Sequence, residues 1–201
     1  MRPTQPLFIL VSLLAAASPA PAQSRPDLFD CENCEAIHEH SFEGLPSSTV
    51  IPPPGEPGER LVLVGRVLQA DGTSPAPGVI VLAYHANAAG AYPKRGDERG
   101  WGRWQGYLRG WVKTDAEGRY RFETVRPGPY PGRSEPAHIH MIVKEPDRRE
   151  YWIDDVVFED DPRVTAAYRA RVGSRGGPGI VRPTGDASGV WHATRDIVLE
   201  R

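Results

Sequence analysis

The feature that most constrains this chain is a series of short aliphatic runs, each closed by a turn cluster. "RLVLVGRVL" (60–68) and "GVIVLAYHA" (78–86) are rich in Val, Leu and Ile, and "QADGTSPAP" separates them. "GWVKT" and "RYRFETV" flank "DAEG", which reads as a hairpin turn. "AHIHMIVKE", "YWIDDVVFE" and "RDIVLER" supply further strands. One segment reads as a helix, "DPRVTAAYRARV", with Asp161 as N-cap and Pro162 at the first helical position. Strands at this spacing, without alternating helices, predict an all-β fold. The expected architecture is an antiparallel β-sandwich with long loops and at most one or two short helices. The 21 Gly and 21 Pro of the 201-residue chain suit such a turn-rich protein.

Two segments precede the strands. Residues 1–22 carry an early Arg2, the apolar run "LFILVSLLAAA" and an Ala20-Pro21-Ala22 cleavage pattern. They read as a signal peptide, which predicts an exported protein, periplasmic or extracellular. The run is too short for a comfortable span, so no membrane span is expected in the mature form. Residues 23–57 read as an extended Pro/Gly-rich arm, and residues 58–201 as the β-sandwich domain. In the arm, Cys31 and Cys34 form a C-x-x-C with His38 and His40 behind it. An oxidising compartment favours a local disulfide. Free or intermolecular thiols, or a metal site, are the other readings of the pair. The net charge of −2 and the lack of a basic stripe argue against nucleic acid as a partner.

"AHIHMIV" poses the chemical question. In a strand, residues i and i+2 share a face. His138 and His140 therefore present two imidazoles that can reach one ion, while Ile139 and Met141 face apolar packing. A pair of histidines hydrogen-bonded in a core, or exposed, gives the same pattern. Tyr130 lies in "PGPYP", where prolines 127, 129 and 131 limit the backbone. It reads either as a phenolate ligand, a hard oxygen donor suited to Fe(III), or as a buried phenol closing a strand end. The loop 87–109 is too long and too aromatic for a mere connector. Trp101, Trp104 and Tyr107 in it read as pocket walls, as core lids or as a stacking surface for another subunit. His85 and His192 read as structural.

The segment "TDAEGRYRFETVRPGPYPGRSEPAHIH" resembles the iron-binding core of the intradiol ring-cleavage dioxygenases, the family of catechol and protocatechuate dioxygenases. "GRVLQADGTSPAPGVIVLAYHANAAGAY" resembles the family's opening strands, and "FEDDP" and "TRDIVLE" its later ones. The resemblance covers roughly residues 60 to 200. It implies a β-sandwich carrying one non-haem Fe(III) on Tyr92, Tyr130, His138 and His140, with both tyrosines catalytic. It implies a catechol-like substrate, O2 as co-substrate and a muconate-type dicarboxylate that takes up both oxygen atoms. A homo-oligomer is compatible with it.

Two positions depart from the family pattern. The arginine that precedes P-A-H-I-H in well-known members is Glu135 here. A glutamine further on is replaced by Asp155. Two acids at these places repel an anionic substrate, unless Arg133 or Lys144 neutralises them, so the sequence favours a neutral or larger catechol over protocatechuate. The same departures keep a competing reading open: a non-catalytic exported β-sandwich binding or interaction domain that retains a metal site.

Overall fold

The computed structural model describes Cys31 and residues 33–200. The signal-peptide segment lies outside the described residues. Among the described residues, eleven strands form two sheets. They are β1 (Ser48–Val50), β2 (Arg60–Leu68), β3 (Ile80–His85), β4 (Arg109–Lys113), β5 (Arg119–Val125), β6 (His138–Lys144), β7 (Tyr151–Phe158), β8 (Ile180–Val181), β9 (Thr184–Gly185), β10 (Trp191–Thr194) and β11 (Ile197–Val198). Two short helices accompany them, α1 (Gly102–Gln105) and α2 (Ala166–Arg171).

The first sheet runs β1-β5-β2-β10-β9, with β11 also on β2, and the second runs β4-β3-β6-β7-β8. The long strands pair antiparallel, as the alternation predicts. Short edge pieces pair parallel: β1 on β5, β10 and β11 on β2, and β8 on β7. Both sheets are therefore mixed. The core lies between them. Leu61, Leu63, Tyr120 and Phe122 of the first sheet meet Val81, Ala83, Ile139, Met141, Val143 and Phe158 of the second. Each buried Leu, Val or Phe contributes about 1.5–3 kcal/mol by leaving water.

Three sequence expectations are corrected in detail. "DAEG" does form a tight turn, with the Gly118 N–H donating to the Asp115 carbonyl at 2.9 Å. The strands it joins do not make a hairpin: β4 pairs with β3 in one sheet, and β5 with β2 and β1 in the other. The turn is the corner by which the chain changes layer. The helix starts at Ala166, not at Pro162, with the Thr165 hydroxyl capping the Tyr168 N–H. Asp161 does not cap it: its carboxylate accepts from the Ala137 N–H across the fold and from the Arg163 N–H two residues on, at 2.8 Å each. The described part of the arm is not free of the sandwich. A 3-10 turn, Cys34–Glu39, buries Cys34, Ala36 and Ile37 on the outer face of the second sheet against Ile80, Leu82 and Ile142. Cys31 and Cys34 are joined as a disulfide at the head of this turn. The indole of Trp111 donates to the Ile37 carbonyl at 2.9 Å. Beyond it, β1 extends the first sheet.

Candidate active site

Two loops and one strand build the site. The first loop follows β3. Asn87 closes it, accepting through Oδ1 from the Ala89 and Ala91 N–H groups and through its carbonyl from Gly90 and Gly128. The second is the Pro-Gly-Pro-Tyr-Pro segment after β5. The two loops touch backbone to backbone. A Cβ on Gly90 would sit 2.0 Å from the Pro129 carbonyl oxygen, and one on Gly128 would sit 2.2 Å from that of Ala88. Gly90 also has φ +75, which L side chains rarely adopt. Glycine at both places lets Tyr92, two residues past Gly90, and Tyr130, two residues past Gly128, approach each other.

The strand is β6. His138 and His140 alternate with the core residues Ile139 and Met141, so both imidazoles point to the outer face. Tyr84 of β3 is the register partner of His140, and the rings stack with centroids 4.6 Å apart. On the other side β7 carries a bulge. Ile139 pairs with Val156 and Met141 with Ile153, so Asp154 and Asp155 together face His140. A bulge re-aims a side chain locally. Here it brings Asp155 Oδ1 to 2.9 Å from His140 Nδ1.

The four side chains converge. Tyr92 Oη and Tyr130 Oη are 2.5 Å apart. His140 Nε2 is 2.9 Å from Tyr92 Oη and 3.2 Å from Tyr130 Oη. His138 Nε2 is 3.1 Å from Tyr130 Oη and 3.2 Å from His140 Nε2. The tautomers follow from the outer partners. His138 Nδ1 donates to the Pro136 carbonyl at 2.7 Å, and His140 Nδ1 donates to Asp155. Both Nε2 atoms are therefore lone-pair donors, and they face each other. The two phenol hydroxyls bring two protons to five such contacts, too few to bridge them all. A cation satisfies the whole set. Donors about 2 Å from one ion in a tetrahedral arrangement lie about 3.3 Å apart, close to the separations here.

Charge supports this reading. Burial pushes both phenols above the ordinary tyrosine range, and for Tyr92 the hydrogen bond to Tyr130 adds to it. The phenols therefore ionise only when a Lewis acid replaces their protons. Burial lowers the His138 imidazole, with His140 as the next cause, which keeps it neutral and able to ligate. Asp155 lies within 4.8 Å of donor atoms of both histidines. Its bond is to Nδ1, the far side of the His140 ring, so it fixes the orientation of that ring.

The remaining residues named from sequence sit elsewhere. Trp101 packs on the outer cluster beside Ile37, and Trp104 projects into solvent, 72 % exposed. Tyr107 donates to Glu56 at 2.7 Å and lies under Arg95. Arg133 and Glu135 are exposed, although Glu135 is near enough to help raise Tyr130. Lys144 turns away, donating to the Glu145 and Pro146 carbonyls. His85 is fully buried between the Ala86 carbonyl and the Thr124 hydroxyl, and His192 pairs with Asp186. Sequence reasoning missed Tyr84, and the alternation of Ile80, Leu82 and Tyr84 on one face of β3 was the signal for it. It also missed the bulge, visible where the apolar phase of Tyr151 and Ile153 shifts to Val156 and Phe158.

Two phenols and two imidazoles meeting on the outer face of a β-sandwich define a candidate mononuclear metal centre. A family model described as Dioxygenase (Dioxygenase_C) matches residues 47–174. The chain is 44% identical over 96 residues to the protocatechuate 3,4-dioxygenase beta chain of Burkholderia cepacia, covering 44% of this chain and 40% of that one. It is 33% identical over 145 residues to catechol 1,2-dioxygenase 2 of Acinetobacter lwoffii, covering 58% and 51%. These matches thus span less than two thirds of either relative. Among solved structures, the dioxygenase domain of a dioxygenase carbohydrate-binding protein fusion from Streptomyces sp. SirexAA-E superposes with a TM-score of 0.59 at 26% identity, over 79% of this chain and 90% of that one. The 3-chlorocatechol 1,2-dioxygenase of Rhodococcus opacus 1CP shares the fold, with a TM-score of 0.60 at 19% identity, over 81% and 70%. The chain belongs to the intradiol ring-cleavage dioxygenase family.

Proposed function

We propose that the protein is an exported intradiol dioxygenase that holds one non-haem Fe(III) on Tyr92, Tyr130, His138 and His140. It opens the ring of a catechol-type substrate with O2 and yields a muconate-type dicarboxylate. The observation that carries this reading is the convergence of four donor atoms within 3.2 Å along every contact given above. When bound, Fe(III) supplies Lewis acidity toward the two catechol oxygens and a template for O2.

The chain's own residues do the rest. The Pro136 carbonyl and Asp155 accept from the two Nδ1 atoms and so hold both imidazoles with Nε2 inward. Burial makes the tyrosine phenolates strong bases, so a phenolate Oη of the Tyr92–Tyr130 pair takes a proton from a catechol hydroxyl as substrate enters. Tyr84 covers one face of His140. Asp155 beside the site and Glu135 near it, with Lys144 directed away, disfavour a substrate carboxylate.

Oxygen uptake by the iron-loaded protein tests this reading. Catechol is expected to consume one O2 per ring and give a muconate, with protocatechuate slower. Iron bound as expected, with no uptake on any catechol, would instead favour the non-catalytic domain that Glu135 and Asp155 keep in view.

A further inference from the structure

A second feature lies on the same outer face, on the Nδ1 side of His140. A cleft of about 310 Å³ opens between β7 and α2, walled by Tyr84, His140, Trp152, Asp155 and Tyr168. Ile142 of the outer cluster lies in its lining as well.

Several polar ends facing this cleft have no partner among the described residues. Asp155 uses Oδ1 on His140, and its Oδ2 is free. The hydroxyls of Tyr84 and Tyr168, both in the cleft wall, make no hydrogen bond among the described residues. Trp152, the second residue of β7, leaves 40 % of so large an apolar ring exposed. A carboxylate oxygen, two phenols and an aromatic wall around one cleft make a ligand site of the ordinary kind, apolar surface with a few converging polar groups.

Charge selects among ligands. The cleft is lined by Asp154 and Asp155, and its one basic lining residue, His140, already spends Nδ1 on Asp155, so the lining leaves no basic group to hold an anion. A cation is disfavoured for another reason. Arg175 already lies 4.0 Å over the Trp152 ring and Arg171 lies 5.4 Å over that of Tyr168. Each ring therefore has a guanidinium on it, and a second positive charge would be repelled. The same stacking steadies both rings. What remains is a flat, neutral group with a hydroxyl to donate.

We infer that this cleft is an aryl subsite, which takes a neutral phenolic ring attached to the catechol, stacked between Trp152 and Tyr168 with its hydroxyl donated to Asp155 Oδ2. The substrate class is then a two-ring phenol, with the catechol at Tyr92, Tyr130, His138 and His140. This deepens the function proposed above and rests on it for the catechol half only.

The test separates the two halves. 4-Hydroxybiphenyl has no vicinal diol and cannot chelate, so its binding reads the cleft alone. Isothermal titration of the full chain is expected to show it binding at least about tenfold more tightly than biphenyl-4-carboxylate or benzylammonium, a difference of about 1.4 kcal/mol. Tyr168→Ala and Trp152→Ala are each expected to remove most of that preference, with unchanged far-ultraviolet circular dichroism as the check on folding. In the iron-loaded protein, 4-(4-hydroxyphenyl)catechol is expected to exceed 4-phenylcatechol in kcat/KM, and the ratio should fall in Tyr168→Ala. No binding of 4-hydroxybiphenyl, equal binding of the three probes, or affinity unaltered in both variants would overturn the subsite even if catechol is cleaved. Binding as expected with no ring cleavage would uphold the subsite and count against the dioxygenase reading.

Discussion

His140 donates its Nδ1 proton to Asp155 Oδ1 at 2.9 Å, and the bulge of β7 is what makes the bond reachable. With Nδ1 protonated, Nε2 is left as a lone pair directed at the tyrosines. Such outer partners are worth about 10–100-fold in metal affinity. Asp155→Ala is expected to weaken iron retention in that range. Asp155→Asn, which keeps an acceptor oxygen, should recover part of it. Competition with a chelator measures both, and equal retention in all three proteins would remove Asp155 from this role.

Gly90 permits the tyrosine pair. Its φ of +75 and the 2.0 Å approach of the Pro129 oxygen leave no room for a Cβ. Gly90→Ala is expected to cost at least about 2 kcal/mol and to separate Tyr92 from Tyr130, so that iron binding falls with stability. Thermal unfolding and iron content, measured on the same preparation, check it.

His85 sets an acid limit on the fold. Full burial lowers its pKa from 6.5 to about 4, so the folded state holds it neutral. The unfolded chain takes up the proton first as pH falls. The resulting stability is complete above pH 6.5 and is lost as pH falls toward about 4, by about 3 kcal/mol for this group. His85→Phe is expected to flatten the stability curve in that window. Urea unfolding at several pH values would show it, and an unchanged slope would assign the acid sensitivity to other groups.

The disulfide closes a very short loop, so its effect is small. The double variant Cys31→Ser with Cys34→Ser is expected to lose about 2 kcal/mol. The loss should be sensed first by the Cys34–Glu39 turn, which buries Ile37 against Leu82. Hydrogen exchange at Ile37 reports it.

The long strands were legible because β-branched runs and period-2 alternation coincide in them, and His138 and His140 were placed on one face by that same alternation. Tyr92 was legible only through family resemblance, since its approach to Tyr130 depends on two glycine contacts between distant loops. The two-residue strands β8, β9 and β11 are too short to show a period. Helix α2 was misplaced because Asp161, a good local cap, is taken by a partner 24 residues away, the Ala137 N–H. The layer change at "DAEG" is decided by which strands pair, and a turn sequence carries no such information. The bulge at Asp154 and Asp155 left a trace in the apolar phase, which a strict alternation count would have found.

The most direct test is the visible spectrum of the protein loaded with Fe(III). Tyrosinate on ferric iron gives a broad charge-transfer band and a wine-red colour. That band is expected at one iron per chain, shifted and weakened in Tyr130→Phe, with iron lost in His138→Ala. A colourless protein that prefers zinc, or a His138→Ala variant with full iron content, would contradict it.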